Sequence, residues 1–515
     1  MMDEKLNLLA YDVGNSAVRT ILCRYENGTV SSEEVLVEPN GSFEENGYLY
    51  WDMDAVFESM KRGLALAAKK CKKIDSVGIC TWGVDFRLLD EDGRFIAKAL
   101  CYRNSIGEEE ISKLYQAERD SMFYRTGILS DRINSVYMLK GIARHMPGVF
   151  AKARKILMVP DVFVYMFTGV LMNEPSELST TQMLDVKTMQ ISREMCDYAG
   201  VTPDLFSQIG EHGKAVGTIL PEILAEAGID YDIPLVCVPS HDTASAVTGI
   251  PSPETDYLFV SSGTWALIGA DTDRPVITDE TMQANLTNEV GAFGRTTLLR
   301  NSAGMFILQR LKSEYQEETG CKISWNDFTE LAADWTEEPK IYDVNDSRFF
   351  NPEKMAEEIR DVLHGEKPGA GADAAGERPG AAGPDGAGEK SCAAGPDGAG
   401  EKQDGAGIYN WPEILASTYA SLGESYAETL RLVRACTGKS YNEVYVVGGG
   451  SRNARINQRC ADSLGLPVVA CDMECSSVGN AAVQIAYFHP EYTISDLRKI
   501  MARSLKTRTY VPAGE

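Results

Sequence analysis

The chain has 515 residues, of which 44% are apolar, and it carries a formal net charge of −25. This length exceeds what one hydrophobic core usually serves, so we expect two large domains. The strong negative charge argues against nucleic acid as a partner, because phosphate contacts need clustered Lys and Arg. No apolar run approaches the roughly 20 residues of a membrane span, and the first residues are acidic, so we expect a cytoplasmic protein without a membrane partner.

Strand-forming apolar runs interrupted by small residues recur along the chain. Strand, tight turn and strand are predicted over residues 6–24, 74–90 and 257–270, with the turns at 14–16, Gly83 and 262–264. Residues 443–465 predict a strand, a triple glycine and a helix that begins at Asn453. Further helices are predicted over 53–70, 109–118, 352–363, 411–436 and 477–487. This mixture of strands and helices favours an α/β fold.

Residues 365–407 differ from the rest of the chain, since they consist almost entirely of Gly, Ala, Pro and charged residues. The stretch "AAGPDGAGEK" occurs twice, at 381–390 and 393–402. Such a composition cannot bury a core, so we expect a disordered surface insert. A tolerated repeat expansion and a partner-binding segment are both open interpretations.

The predicted turns share exposed backbone N–H groups with little side chain in the way, which suits phosphate binding. "YVVGGGSRNARINQ" also brings a helix N-terminus to its three glycines, which favours nucleotide contact over a purely structural turn. "CTGKSYN" (436–442) resembles the end of a P-loop but follows a helix, so we interpret Gly438 as a helix stop. "CDMEC" has no second cysteine pair at metal spacing, so we expect no zinc site there.

"IPLVCVPSHDTASAV" (233–247) brings Asp242 to the end of an apolar strand. Its carboxylate could cap the following helix, or it could serve as a general base where two domains meet. Both roles are compatible. The chain contains no G-x-S-x-G nucleophile motif, so hydrolysis through an activated serine is a poor interpretation.

Six motifs in this order resemble those of the FGGY family of carbohydrate kinases: "YDVGNSAVR", "GICTWGVDF", "VPSHDTASAV", "SSGTWALIG", "NLTNEVGAFG" and "VVGGGSRN". The resemblance covers nearly the whole chain apart from the insert. It implies two actin-like (ribonuclease H-like) α/β domains with a cleft between them, expected at residues 1–248 and 249–515. The sugar would bind mainly to the first domain and ATP mainly to the second.

The resemblance also implies roles for individual residues. Asp242 would take the proton of a sugar hydroxyl, and Asp12 would hold Mg²⁺ through water. The implied sugar contacts are Gly83, His241, Asp242, Thr243 and Asn301. The implied ATP contacts are Asn15, Ser16, Ala17, Val18, Arg19, Thr264, Gln309 and Gly449.

The residues Thr81-Trp82-Gly83-Val84 offer few polar groups and an aromatic wall, which suits a deoxysugar. We therefore expect transfer of the γ-phosphate of ATP to O1 of L-rhamnulose, with L-fuculose and D-xylulose as alternative sugars. A non-catalytic regulator that binds sugar and ATP is the alternative from another class. The sequence leaves monomer and dimer open.

Two departures from the family's usual residues bear on these expectations. Ala17-Val18 stands where Ser-Gly is usual, which makes the first turn bulkier. Asn104 stands where Asp is usual; it would alter specificity if it touched the sugar, and would matter little if it capped the following helix.

Overall fold

The computed structural model of the chain describes residues 5–252, 254, 256–350, 352–365, 409–471 and 475–514. The predicted insert at 365–407 lies outside the described residues, except for its first glycine.

The strands are listed here in chain order: β1 (Lys5–Val13), β2 (Ala17–Glu26), β3 (Thr29–Pro39), β4 (Ser42–Glu45), β5 (Tyr48–Trp51), β6 (Ser76–Thr81), β7 (Phe86–Leu89), β8 (Ala99–Leu100), β9 (Lys155–Met158), β10 (Leu184–Asp185), β11 (Gln190–Ile191), β12 (Ala215–Thr218), β13 (Pro234–Val236), β14 (Tyr257–Ser262), β15 (Trp265–Thr272), β16 (Thr287–Val290), β17 (Thr296–Ala303), β18 (Val444–Val447), β19 (Val468–Cys471) and β20 (Thr507–Tyr510).

The α-helices follow in the same order: α1 (Met53–Ala68), α2 (Ile106–Ile111), α3 (Gln116–Thr126), α4 (Ser135–His145), α5 (Pro147–Phe150), α6 (Val159–Thr168), α7 (Pro175–Thr180), α8 (Arg193–Ala199), α9 (Pro221–Glu226), α10 (Asp242–Thr248), α11 (Asp279–Gln283), α12 (Phe306–Thr319), α13 (Trp325–Glu330), α14 (Met355–His364), α15 (Trp411–Thr437), α16 (Ala454–Leu464), α17 (Cys475–Phe488) and α18 (Ile494–Ser504).

Two large sheets organise the molecule, and their central strands are arranged alike. The first has the order β12-β13-β6-β1-β2-β3, and the second has the order β16-β17-β15-β14-β18-β19-β20. In each sheet an antiparallel hairpin, β1–β2 or β14–β15, is extended on one side by a third antiparallel strand. On the other side two parallel strands follow, β6 and β13 or β18 and β19. This repeated order confirms the predicted α/β fold of two actin-like domains.

The strands of the first sheet all precede Cys237, and those of the second all follow Asp256. The domain boundary expected at residues 248 and 249 falls in this interval and stays a prediction.

Helix α17 lies between two strands of the second sheet along the chain, β19 and β20, but packs on the first sheet. Alternate residues of β1 enter two cores: Leu9 and Tyr11 pack against α1 and α6, whereas Leu8 and Ala10 pack against α17 and α18. The Gln484 side chain of α17 donates a hydrogen bond to the Leu9 carbonyl at 3.2 Å and accepts one from the Ser76 hydroxyl at 2.6 Å. The first sheet is therefore completed by the last part of the chain.

Helices α10 and α17 cross without intervening side chains. A Cβ on Gly479 would lie 1.9 Å from the carbonyl oxygen of Ser245, and one on Gly249 would lie 2.3 Å from that of Cys475. Only glycine allows backbones to approach this closely. The crossing joins α10, which begins with Asp242, to α17, which lies between β19 and β20 of the second sheet along the chain.

Two predictions of local structure were wrong. Residues 74–90 form two strands, but β6 pairs with β1 and β13 while β7 pairs with β9, so there is no hairpin. Val84 adopts a φ of 72°, which turns the chain out of the first sheet. The helix predicted over 109–118 is divided into α2 and α3, because the Tyr115 N–H bonds to the Glu118 carboxylate and starts a second helix.

The other predicted helices are confirmed, with Asn453 capping α16 through its side chain and Gly438 ending α15 at a φ of 62°. Within the described residues, no helix combines the length and the apolar character needed to cross a membrane.

Candidate active site

The first candidate region lies where β1 and β6 end side by side. Asp12 faces Arg19 across the β1–β2 pair and lies beside Cys80 of β6. Its Oδ2 accepts a hydrogen bond from the Ser476 hydroxyl of α17 at 2.9 Å. A carboxylate from the first sheet and a hydroxyl from the connection between β19 and β20 of the second sheet therefore meet at this edge.

The turn after β1 is a tight hairpin, as predicted. The Gly14 N–H donates to the Ala17 carbonyl at 2.8 Å, and the Asn40 side chain donates to the Gly14 carbonyl at 2.8 Å. The Asn15 amide donates to the Tyr102 hydroxyl at 3.3 Å, while Ser16 is exposed. The Val18 side chain is buried in the core, so its bulk points away from the exposed face of the turn. Only the backbone of Val18 remains available to a ligand there.

Gly83 lies against the ring of His241. A Cβ at Gly83 would lie 3.3 Å from Cδ2 and Nε2 of that ring and 3.0 Å from Cγ2 of Thr180. The strained Val84 that follows is held at both ends, because its N–H donates to Thr180 Oγ1 at 3.0 Å and its carbonyl accepts from Ser135 Oγ at 2.5 Å. Glycine at position 83 thus lets the imidazole reach the backbone.

Asp242 is the first residue of α10, and the N-cap position belongs to His241. The prediction that Asp242 caps the helix was therefore wrong. Its Oδ1 instead accepts a hydrogen bond from the Thr243 hydroxyl at 3.2 Å, and its side chain is 38% exposed. The helix N-terminus still favours its negative charge. Asp242 is thus a solvent-accessible carboxylate at a fixed position.

The charges of Asp12 and Asp242 both act on one buried thiol, that of Cys80. Burial raises the pKa of Cys80 well above its usual value, and the charges of these two carboxylates raise it further. The structure therefore brings together the residues predicted to act as metal ligand and general base.

His241 has a carboxylate near each ring nitrogen. Nδ1 lies 3.0 Å from Oε2 of Glu289, in an ion pair rather than a well-aligned hydrogen bond, and Nε2 lies 3.7 Å from Oδ1 of Asp242. Burial lowers the pKa of His241, but Glu289 and then Asp242 outweigh burial and raise it to about 9. His241 is thus an imidazolium at neutral pH.

Further acidic side chains lie behind His241. Glu174 accepts hydrogen bonds from Ser176 Oγ and from Nε2 of His212, both at 2.5 Å, and Ser176 Oγ in turn accepts from the His241 N–H at 3.0 Å. Glu177 is fully buried, and neither of its carboxyl oxygens has a hydrogen-bond partner among the described residues. Burial raises its pKa well above the usual value, and Glu174 raises it further, which favours the protonated form of Glu177.

Two tryptophans form a wall beside Gly83. The rings of Trp51 and Trp82 lie 4.5 Å apart, and both indole N–H groups donate to Oδ2 of Asp85, at 2.5 and 2.9 Å. Burial raises the pKa of Asp85 to about 7, although the two indole hydrogen bonds lower it. The guanidinium of Arg103 lies 5.8 Å from the Trp51 ring. The wall is therefore apolar with a fixed polar backing.

A second candidate region lies at the end of the second sheet. The hairpin turn between β14 and β15 packs on the start of α12, since the Phe306 N–H donates to the Thr264 carbonyl at 3.1 Å. Gly450 lies so close to Ser262 that a Cβ would be 1.9 Å from its Oγ, whereas a Cβ on Gly449 would meet nothing within 4 Å. Thr264, Gln309 and Gly449 are all exposed here.

The structure does not join every predicted residue to Asp242. Among the described residues, no hydrogen bond or ion pair links Asp242 to Thr264, Gln309 or Gly449. Asn301 is exposed on β17, opposite Leu267 of β15, and is likewise not bonded to Asp242.

Asn104 neither caps the following helix nor bonds a residue of the predicted sugar site. Its amide donates to the carbonyls of Leu49 and Cys101 at 2.8 and 2.7 Å, and its carbonyl accepts from the Leu49 N–H at 2.9 Å. The helix N-cap is Ser105. Asn104 therefore fixes a loop to β5. The helix-cap interpretation was wrong, and contact of this residue with the sugar stays a prediction.

Sequence reasoning missed several groups that surround the site. Glu289 lies in the quoted motif "NLTNEVGAFG" and Trp51 in the "YLYW" strand, yet neither received a role. The motif offered a signal for Glu289, because Glu289 is its single charged residue. The buried carboxyl of Glu177 had no comparable signal.

Two actin-like domains, each with a hairpin turn at the end of its sheet, form a scaffold that phosphotransferases use, but the fold alone does not define the activity. Comparison with known proteins identifies the family to which the chain belongs. Residues 7–249 match the N-terminal domain of the FGGY family of carbohydrate kinases, and residues 398–487 match its C-terminal domain. The chain belongs to the FGGY family of carbohydrate kinases, whose substrates are a sugar and ATP.

Individual relatives agree with this membership. The chain is 31% identical to the rhamnulokinase of Bacteroides thetaiotaomicron, over 99% of this chain and 96% of that protein. Among solved structures, the gluconate kinase of Lactobacillus acidophilus matches with a TM-score of 0.76 at 15% identity, over 99% of this chain and 94% of that one. The ligand-bound xylulose kinase of the same organism matches with a TM-score of 0.73 at 15% identity, over 98% and 94%.

Proposed function

We propose that the chain transfers the γ-phosphate of ATP to O1 of L-rhamnulose, giving L-rhamnulose 1-phosphate and ADP. The O1–phosphorus bond forms as the bond between the γ-phosphorus and its bridging oxygen breaks, and that bond's electron pair leaves with ADP. The O1 proton passes to Asp242 and then to solvent. In phosphoryl transfer a positioned group takes the hydroxyl proton, so location matters more than strong basicity.

The observation that supports this role most strongly is the setting of Asp242. It is accessible, it starts α10 beside the imidazolium of His241, and it shares the surroundings of Cys80 with Asp12. A carboxylate that is accessible and fixed in position can take the proton of a substrate hydroxyl. We propose Gly83, His241, Thr243 and Asn301 as sugar contacts around it.

Asp12 suits a magnesium ion, because carboxylate oxygens are the ligands this ion prefers, and the Ser476 hydroxyl orients the group. We propose that Asp12 holds Mg²⁺ through water. Bound there, the ion would spread the negative charge of the transferred phosphate. The backbone of the two hairpin turns and of Gly449 would bind the ATP phosphates, with Arg19 and Gln309 adding side-chain contacts.

The tryptophan wall supports a deoxyketose, a class that includes both L-rhamnulose and L-fuculose, and the relative named rhamnulokinase supports L-rhamnulose between these two. A methyl group forms no hydrogen bonds, so an apolar wall suits a deoxysugar better than a sugar with one more hydroxyl. The expected discrimination is modest, about 10- to 200-fold, because a hydrophobic pocket rejects a close analogue only weakly.

A ketose panel tests the substrate. Purified protein with ATP and Mg²⁺ should release ADP fastest with L-rhamnulose, more slowly with L-fuculose and slowest with D-xylulose. Equal rates with all three ketoses would contradict the assignment of L-rhamnulose as the substrate. Sugar and ATP binding without any ADP release would favour the non-catalytic regulator instead.

A substitution tests the base. Asp242→Asn should lower kcat by about 10²–10⁴, the usual contribution of a positioned general base, and should leave sugar binding measurable by calorimetry. Asp232→Asn is the matched control, since Asp232 is exposed on the preceding connection. A near-normal kcat in the Asp242 variant would exclude this residue as the base.

A further inference from the structure

The segment "NLTNEVGAFG", residues 285–294, belongs to the second half of the chain but is fixed to the first. The Asn288 N–H donates to the Gly127 carbonyl at 3.1 Å, and the Leu129 N–H donates to Thr287 Oγ1 at 3.1 Å. On the other side of Glu289, the Val290 N–H donates to Ser179 Oγ at 3.0 Å. The backbone is thus held on both sides of Glu289, which makes its side chain a fixed group.

Glu289 reaches His241 from this fixed position. Its Oε2 lies 3.0 Å from Nδ1 of His241, whose other nitrogen lies 3.7 Å from Oδ1 of Asp242. The Glu289 and His241 side chains are 13% and 11% exposed, so water screens their interaction weakly. An imidazole ring with a carboxylate near each nitrogen is favoured in its doubly protonated form, which alone carries a proton at both positions.

Further acidic groups lie around this ring. Among the described residues, Glu289 from β16, Asp242 from α10 and Glu174 just before α7 interact electrostatically with His241, and the buried Glu177 from α7 interacts in turn with these three carboxylates. Glu174 is paired with His212, and the raised pKa of Glu177 favours its protonated form. The charge on His241 is therefore balanced by Glu289 and Asp242.

We propose that Glu289 is a positioning residue of the phosphoryl transfer: its contact with Nδ1 fixes His241, whose other nitrogen faces Asp242 and directs that carboxylate toward the sugar hydroxyl. This inference rests on the proposed function for its catalytic consequence. Glu289 itself need not touch the substrate. Glu289, from the second half of the chain, would thereby support the proposed base Asp242, which belongs to the first half.

The test starts without substrates. In protein with labelled histidines, the His241 resonance is assigned by its loss in His241→Gln and is then followed against pH by NMR. In the wild type it should titrate near 9. In Glu289→Gln the midpoint should fall by about one to three pH units, because an adjacent opposite charge shifts a pKa by that amount. An unchanged midpoint would overturn the proposal.

Kinetics provide the second measurement. Glu289→Gln should lower kcat by about 10- to 100-fold, the range expected when a reacting group is misplaced, and should move the alkaline fall of kcat to lower pH. Glu289→Asp keeps the charge, so its alkaline limb should lie nearer that of the wild type. Glu280→Gln, an exposed glutamate on α11, is the control and should match the wild type throughout. Equal pH profiles for the two glutamine variants would contradict the proposal.

Failure of the two ideas can be told apart. If the wild type phosphorylates no ketose, the proposed function is wrong, yet the histidine titration still decides whether Glu289 controls His241. If the wild type is active and the titration shifts while the kcat profile of Glu289→Gln stays normal, the catalytic role of Glu289 is excluded.

Discussion

Trp51 and Trp82 lie with their rings 4.5 Å apart and direct both indole N–H groups at the same oxygen of Asp85. One strand and one loop are thereby fixed to each other through a single carboxylate. The orientation of the whole aromatic wall beside Gly83 depends on this acceptor.

Removing the acceptor should destabilise the protein. Asp85→Leu leaves two buried N–H groups unpaired, so the free energy of unfolding should fall by about 2–6 kcal/mol, at about 1–3 kcal/mol for each group. Asp85→Asn should lose less, because its carbonyl oxygen still accepts. Denaturant unfolding measures both, with the exposed Asp92→Leu as a control that should change by no more than about 0.5 kcal/mol. A leucine variant as stable as the control would show that the indoles find other partners.

Asp85 also predicts a pH dependence of stability. Burial raises its pKa in the folded protein from 3.8 to about 7, so between these values the folded state binds a proton that the unfolded state has lost. The contribution of Asp85 to stability is present below the lower value, declines as pH rises and is gone above the higher one. Unfolding experiments across this range should show a steeper decline in the wild type than in Asp85→Asn. Parallel curves would argue against a raised pKa.

Substitution of Gly449 should weaken nucleotide binding without affecting folding. A Cβ there meets no atom within 4 Å, so Gly449→Ala should leave the melting temperature nearly unchanged. If ATP approaches this backbone closely, KM for ATP should rise about tenfold, the equivalent of about 1.4 kcal/mol, while KM for the sugar stays constant. Gly148→Ala, another glycine in open surroundings, is the control for KM. An unaltered KM for ATP in the Gly449 variant would remove this residue from the nucleotide site.

Asn104→Asp restores the residue usual in the family and should nevertheless be unfavourable here. The change replaces an amide that donates to two carbonyls, on Leu49 and Cys101, with a carboxylate that can only accept. We expect a loss of about 1–3 kcal/mol in the free energy of unfolding, because two acceptors lose their donor. The order of rates in the ketose panel should stay the same. A changed order would show that position 104 contributes to sugar choice.

Local patterns were sufficient for the regular parts of this fold. The hairpins β1–β2 and β14–β15 were predictable because small turn residues separate two apolar runs and the strands pair with their nearest neighbours. The same pattern failed at residues 74–90, where a β-branched residue takes a left-handed conformation and each strand finds a distant partner. Tertiary hydrogen bonds to Thr180 and Ser135 hold that conformation, and no local pattern reports them.

The residues of the candidate site were likewise predictable only in part from local motifs. Asp12, Gly83 and Asp242 stand out in short motifs, because each follows an apolar run and precedes or occupies a turn. Glu289 contacts His241, which lies 48 positions earlier in the chain, and this pairing is fixed by the packing of β16 against the first half. A contact between residues so far apart in the chain can be found only from the coordinates.

The packing of α17 and α18 on β1 has a consequence for biosynthesis. Leu8 and Ala10 are among the first residues to leave the ribosome, but Ala481, Ala482 and Ile485, which cover them, are among the last. One face of the first sheet therefore stays uncovered until translation is nearly finished. A chain that stops before α17 would carry that apolar face into solution, so truncation near the C-terminus should lead to aggregation rather than to a smaller working enzyme.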